Sequence, residues 1–374
     1  FYPNHAWILH GWSSAKMIKL SNNEETRRTL TVNGTMKVAV MEGIGKMGYI
    51  ERPIPEVKPD EVLVKLEYVG ICGSDMHYYE TGSIGAYVVE PPFVLGHEPG
   101  GVVVEVGSNV THLKVGDKVA LEPGKTCGEC EFCKSGKYNL CPDVIFFATP
   151  PVDGVFQEYV AHEAALCFKL PENVDTLEGA LIEPLAVGFH AANQGGAKEG
   201  QKAVVMGAGC IGLVSMMALK AQGVSKVYVV DVMQKRLDKA MELGADGVIN
   251  GAEVNAVEEL MKLTDGKGCD LAIETAGTEI TTRQCIHAVK KGATISADET
   301  ELAKVKKLLL NKMSYSCKQN IISGFTLTLS DTKSYHFKLT IEDQLNLMMI
   351  EQQIINGEQT FVYHATDYPC EIFS

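Results

Sequence analysis

Between Lys202 and Asp231 the chain reads KAVVM, then GAGCIG, then LVSMMALKAQG, then KVYVVD. That is an apolar strand, a glycine turn, a helix and a second apolar strand. GVIN, DLAIETAG and GATISA follow as further apolar strands, with helical segments such as MQKRLDKAMELG and AVEELMKL between them. Strands alternating with helices leave few architectures open and imply a parallel, doubly wound α/β sheet.

The turn itself is Gly207-Ala208-Gly209-Cys210-Ile211-Gly212, a G-x-G-x-x-G pattern. Alone it would be weak. Here it follows a strand, opens a helix, and is followed by Asp231 at the end of the next strand, the context of a dinucleotide site. Gly207, Gly209 and Gly212 permit the tight turn and close approach of backbone to a pyrophosphate. The helix start at Ile211 offers free N–H groups for its charge. Asp231 can accept hydrogen bonds from both ribose hydroxyls and would repel a 2′-phosphate, which favours NAD over NADP. Arg236 lies one turn further on, placed to cover the adenosine. The competing reading is a glycine turn with no ligand.

Upstream the periodicity is different. MKVAVMEGIGKMGYIERP reads as two strands around a turn, EVLVKLEYVG alternates as a half-buried strand should, and FVLGHEPGGVVVEVG and VGDKVAL continue in short β segments. This β-rich part runs to about Glu183. It holds Cys127, Cys130, Cys133 and Cys141 in a C-x2-C-x2-C-x7-C run. Four thiolates can close a tetrahedral zinc shell with no open position. An iron–sulfur cluster is an alternative, since Cys141 precedes Pro142, but the final gap departs from the ferredoxin spacing. A disulfide pair is the other. Cys72, His97 and Glu98 supply only three protein groups, leaving a fourth position for water or substrate. A closed site beside an open one suggests one zinc for structure and one for chemistry. Glu183, just before Pro184, ends the β-rich part near the same seam.

Thiolate ligands need a reducing compartment, which points to the cytosol. The net charge of −13 argues against a nucleic-acid or anionic-membrane surface. No apolar run approaches the ~18 residues of a membrane span.

GICGSDMHYYE, VLGHEPGGVVVEVG, the four-cysteine lobe, FFATPPVDG, LIEPLAVGFHA and VVMGAGCIGL together resemble the zinc-dependent medium-chain dehydrogenases, and among them the sorbitol (L-iditol) and xylitol dehydrogenases. The resemblance covers about residues 36–297. It implies a GroES-like β-barrel catalytic domain at 36–184 and an NAD-binding Rossmann domain at 185–297, with the active site in a cleft. It also implies that Cys72, His97 and Glu98 hold a catalytic zinc, and that Glu183 bonds the zinc water or completes the shell. Asp75 orients the zinc histidine. Ser74 and His77 match a proton relay, and Tyr78, Phe146 and Thr149 match the pocket beside zinc and nicotinamide. The implied reaction takes a hydride from a polyol secondary alcohol to NAD. The family resemblance also implies a homotetramer.

The match stops at about Ala297. The family's sixth Rossmann strand and its return into the catalytic domain have no counterpart, so the Rossmann domain reads as truncated. Its sheet edge would be exposed unless the tail covers it. Residues 298–374 read instead as a ββαβ unit: a charged helix ELAKVKKLLLNK, a hairpin from FTLTL and YHFKLT, a helix capped by Thr340, and the strand TFVYHA. That tail bears a faint resemblance to bacteriophage structural modules. Residues 1–35 show no periodicity, and a natural start at Met36 is expected. Three readings result: an NAD-dependent polyol dehydrogenase, a relative acting on another secondary alcohol such as threonine, and an inactive chimeric fragment or phage-type structural protein.

Overall fold

The computed structural model describes residues 32–297 and four strands beyond them, Phe325–Thr328, Ser334–Phe337, Thr360–Ala365 and Tyr368–Phe373. The upstream segment to residue 31 and the helices expected at 301–312 and 341–356 lie outside the described residues. The chain divides after Glu183 into two units.

The first unit opens on a hairpin, β1 (Thr35–Gly43) with β2 (Lys46–Pro53). β3 (Glu61–Gly70) leads into α1 (Gly73–Thr81) and a small hairpin of β4 (Ser83–Ile84) and β5 (Tyr87–Val88). β6 (Glu98–Val106) and β7 (Lys118–Leu121) follow. A lobe held between β8 (Gly124–Lys125) and β9 (Ile145–Phe146) carries the one-turn helix α2 (Glu131–Lys134). β10 (Tyr159–Glu163), β11 (Cys167–Lys169) and α3 (Thr176–Ala180) complete the unit. The antiparallel sheet has the order β10-β3-β6-β7-β11. Val62, Val64, Val103, Val119, Leu121 and Val160 form its core. In β3 the expected alternation begins only at Lys65, because Val62, Leu63 and Val64 are all fully buried.

α4 (Ile182–Gln194) leads into the second unit. β12 (Lys202–Met206), α5 (Cys210–Ala221), β13 (Lys226–Asp231), α6 (Gln234–Glu242), β14 (Gly247–Asn250), α7 (Ala256–Leu263), β15 (Cys269–Glu274), α8 (Glu279–Ala288) and β16 (Val289–Ser296) alternate in sequence. Along β12, Ala203 and Val205 enter one core and Val204 and Met206 enter another. That two-sided burial is why these strands read as unbroken apolar runs. α8 escaped the sequence reading because its buried face is Thr282, Cys285 and Ala288, a weak apolar stripe.

The sheet order is β14-β13-β12-β15-β16, continued by β17 (Phe325–Thr328) and β18 (Ser334–Phe337). β17 runs parallel to β16, with Thr294 opposite Thr326, and β18 returns antiparallel to β17. The tail thus covers the β16 edge and satisfies its ladder groups. The expected hairpin and the TFVYHA strand are present. The latter is β19 (Thr360–Ala365), paired with β20 (Tyr368–Phe373), which the sequence reading did not assign. Among the described residues no helix is long and apolar enough to cross a membrane.

Candidate functional site

Cys72 stands between β3 and α1, and His97 and Glu98 stand where the chain enters β6. One atom from each, a thiol sulfur, an imidazole nitrogen and a carboxylate oxygen, lies within 4.8 Å of the others. Asp75 ties the two segments together. Its Oδ2 accepts from the Cys72 N–H at 2.9 Å, and its Oδ1 accepts from the Gly96 N–H at 2.8 Å. Oδ1 is also 3.7 Å from His97 Nδ1. At 2% exposure Asp75 has no solvent to replace these partners.

Burial and neighbouring charges shift the titrating groups of the cluster. Burial works against a charge on His97, yet the neighbouring Asp75 and Cys72 side chains outweigh that and hold its pKa up at about 10. Burial raises the Glu98 carboxyl, partly offset by His97. Burial pushes Glu183 up to about 7, with His97 opposing and Glu98 and Asp75 adding to the rise. Glu183, in the first turn of α4, thus feels the charges of the cluster without being one of its three converging donors. A sulfur, a nitrogen and an oxygen on a buried centre suit zinc.

α1 places Ser74 and His77 three residues apart on one helix face, with Ser74 half-buried and His77 exposed. Tyr78, on the same helix, is buried, and burial followed by Tyr87 and Asp75 raises its pKa. The Phe146 ring lies 5.8 Å from the His97 ring. Thr149 follows one turn later, its N–H donating to the Phe146 carbonyl at 3.2 Å.

In the lobe the four cysteine sulfurs also lie within 4.8 Å of one another. Sγ–Sγ distances are 3.5 Å for Cys130–Cys133, 3.5 Å for Cys141–Cys127 and 3.9 Å for Cys127–Cys133. These are far longer than a disulfide of ~2.05 Å. They match the ~3.8 Å edge of a tetrahedron with Zn–S bonds of ~2.3 Å. Convergence on one point suits a single ion better than an iron–sulfur cage. Backbone N–H groups of Cys130 and Cys133 donate to Cys127 Sγ and Cys130 Sγ, each at 3.4 Å. Backbone donors at Glu129 and Cys130 lower the Cys127 thiol to about 7, which favours the thiolate that a metal requires.

In the second unit the strand order reverses between β12 and β15, and the glycine turn sits at the carboxyl end of β12, where such sheets bind ligands. Gly207 has φ 105°, and a Cβ on Gly212 would lie 1.9 Å from the Gly207 carbonyl oxygen. Gly209 caps α5, and Ile211 is half-buried in its first turn. Asp231 accepts from the Ala208 N–H at 2.7 Å and the Met233 N–H at 2.8 Å, which fixes its carboxylate beside the turn. Arg236 reaches within 3.7 Å of it. The sequence reading missed Thr275, whose Oγ1 donates to the Met206 carbonyl at 2.9 Å and buttresses Gly207. Its place at the end of the strand beside β12 was the available signal.

Residues 58–172 match the model of the alcohol dehydrogenase GroES-like domain, and residues 210–308 match that of the zinc-binding dehydrogenase family. The chain is 46% identical over 268 residues to the sorbitol dehydrogenase of Bacillus subtilis, covering 72% of this chain and 76% of that protein. It is 46% identical over 260 residues to a probable D-xylulose reductase A of Aspergillus clavatus, covering 68% and 73%. A crystal structure of an Escherichia coli oxidoreductase/dehydrogenase of unknown specificity, described as involved in membrane biogenesis, superposes with a TM-score of 0.69. It has 36% identity and covers 89% of this chain and 90% of that one. None of these similarities lends support to the bacteriophage resemblance of the tail.

Proposed function

Because the chain belongs to the zinc-dependent medium-chain dehydrogenases, enzymes that include the sorbitol and xylitol dehydrogenases, we propose that it oxidises a polyol secondary alcohol to the ketose with NAD as hydride acceptor. Zinc and a nicotinamide dinucleotide are the cofactors typical of that family. The observation that carries the reading is the convergence of Cys72, His97 and Glu98 around Asp75.

When bound, zinc supplies Lewis acidity that lowers the pKa of the substrate hydroxyl, and the dinucleotide accepts the hydride. Cys72, His97 and Glu98 would hold the metal, with room left for that hydroxyl. Asp75 lies 3.7 Å from His97 Nδ1, which would leave Nε2 for the metal. Glu183, half-buried and with its carboxyl pushed up to about 7, would bond the water or hydroxyl bound there. Ser74 and the exposed His77 carry the hydroxyl proton toward solvent. Tyr78, Phe146 and Thr149 wall the pocket. Cys127, Cys130, Cys133 and Cys141 hold a second, structural zinc. Gly207, Gly209, Ile211 and Gly212 bind the pyrophosphate, and Asp231 with Arg236 binds the adenosine ribose and selects NAD. The reading includes a cytosolic location, since zinc thiolates need a reducing compartment, and the family's homotetramer.

The test is NADH formation by the purified chain with sorbitol and xylitol against threonine and simple alcohols, repeated with NADP. Polyol- and NAD-dependent turnover is expected. Turnover with threonine alone would move the substrate class, and no turnover in a zinc-loaded preparation would support the inactive-fragment reading. His97→Ala should abolish turnover with NAD affinity little changed. Loss of NAD binding with turnover per bound cofactor intact would refute the role given to His97.

A further inference from the structure

Glu98 opens β6 directly opposite Gly70, the last residue of β3. Its side chain folds back across that partner. A Cβ built on Gly70 would lie 2.0 Å from Glu98 Oε2, 3.0 Å from its Cβ and 3.1 Å from its Cδ. Real Cβ atoms do not approach an oxygen so closely, so any side chain at 70 must displace the carboxylate.

Two comparisons give that contact its meaning. A Cβ on Gly48 would meet Glu42 Oε1 at 2.2 Å, but Glu42 is a surface residue paired with Lys46 and can swing into solvent at little cost. At Gly100 and Gly101 the obstructing atoms are backbone, Thr176 O at 2.1 Å and Lys65 O at 2.3 Å, so those glycines serve packing. Glu98 is different from both. It is only 7% exposed, and its carboxylate is one of the three converging donors. If it moves, the donor set is broken. Nor does the backbone require glycine here, because the φ of Gly70 lies outside the left-handed region. A glycine in a strand gives up side-chain packing and adds conformational entropy to the unfolded chain, so on stability alone alanine would be preferred.

We propose that Gly70 is a positioning residue for the metal centre: its missing Cβ is the space in which the Glu98 carboxylate turns toward Cys72 and His97. This rests on the reading that Cys72, His97 and Glu98 hold zinc. The glycine is what allows a side chain as long as glutamate to ligate from the first position of β6.

The test is zinc content and affinity of the Gly70→Ala chain. Bound zinc is expected to fall from about two per chain toward about one, with affinity at the weaker site reduced roughly 10–100-fold and NAD binding unchanged. The same substitution is then made on a Glu98→Ala background, where no carboxylate is left to collide. There Gly70→Ala should change zinc affinity by less than about twofold, because residues in contact act on one another and the two changes are then coupled rather than additive. An equal loss in both backgrounds would mean that Gly70 serves the strand alone, and wild-type affinity in the single variant would equally overturn the proposal. If Gly70→Ala does not accumulate in soluble form, the double variant decides, since relief of the collision should restore solubility and insolubility of both would refute the idea. Cys72→Ser separates the two levels. If it keeps both zinc ions, the reading of the site itself fails. If it loses one while Gly70→Ala keeps two, the role of Gly70 alone fails.

Discussion

Asp75 shows how much one side chain can organise. It is a single buried carboxylate that accepts two backbone N–H groups, one from Cys72 and one from the residue before His97, and faces His97 as well. Removing it leaves the buried Gly96 N–H without its partner, at about 1–3 kcal/mol, and the part-buried Cys72 N–H at less. Asp75→Ala should therefore lower the melting temperature and weaken zinc binding at the Cys72–His97–Glu98 group, both measurable on one preparation by calorimetry and metal analysis. Unchanged zinc affinity would show that His97 does not need this partner. The sequence pointed to Asp75 only through a resemblance, because nothing in the spacing of Cys72 and Asp75 reveals that Gly96 will be the second donor. That contact closes a separation of 21 residues.

At the scale of elements, the second unit is joined by short-range rules and a few charged pins. Asp246, before β14, accepts from Lys220 Nζ of α5 at 2.8 Å and from the Val227 N–H of β13 at 2.9 Å, and pairs with Lys226 at 3.1 Å. Its pKa is lowered: burial opposes the charge, but Lys220, the Val227 N–H and Lys226 prevail. A carboxyl lowered in the folded state stabilises above its unfolded pKa of about 3.9, and that contribution is lost as pH falls through the folded value. Asp246→Ala should cost about 1–2 kcal/mol at neutral pH, reduced from an ideal ion pair because the lysines are partly exposed. Urea denaturation should show the variant and the parent converging at acid pH. A gap that persists in acid would mean that packing, not charge, is lost. The glycine turn offers a sharper test. Gly212→Ala puts a Cβ against the Gly207 carbonyl, so it should sharply weaken NAD binding in a calorimetric titration.

Across the whole molecule, each unit has cores of its own, which predicts separable failures. Cys127→Ser should cost one zinc ion and lower the stability of the first unit, while NAD binding in the second persists. Joint loss of zinc and NAD binding would refute that independence. The sequence by itself determined the alternating sheet, the glycine turn with Asp231, and the four-cysteine lobe. These are written locally: period, turn chemistry and ligand spacing act over a few residues, and their physics does not depend on distant chain. Tertiary structure alone decided that Asp75 bonds Gly96, that Glu98 folds over Gly70, that α8 packs on a stripe of Thr282, Cys285 and Ala288, and that β17 covers the edge of β16. Each of these joins residues far apart in the chain. A buried carboxylate, a close backbone approach or an open strand edge finds its partner only when the sheets have formed, because the desolvation that makes such a contact matter does not exist before then.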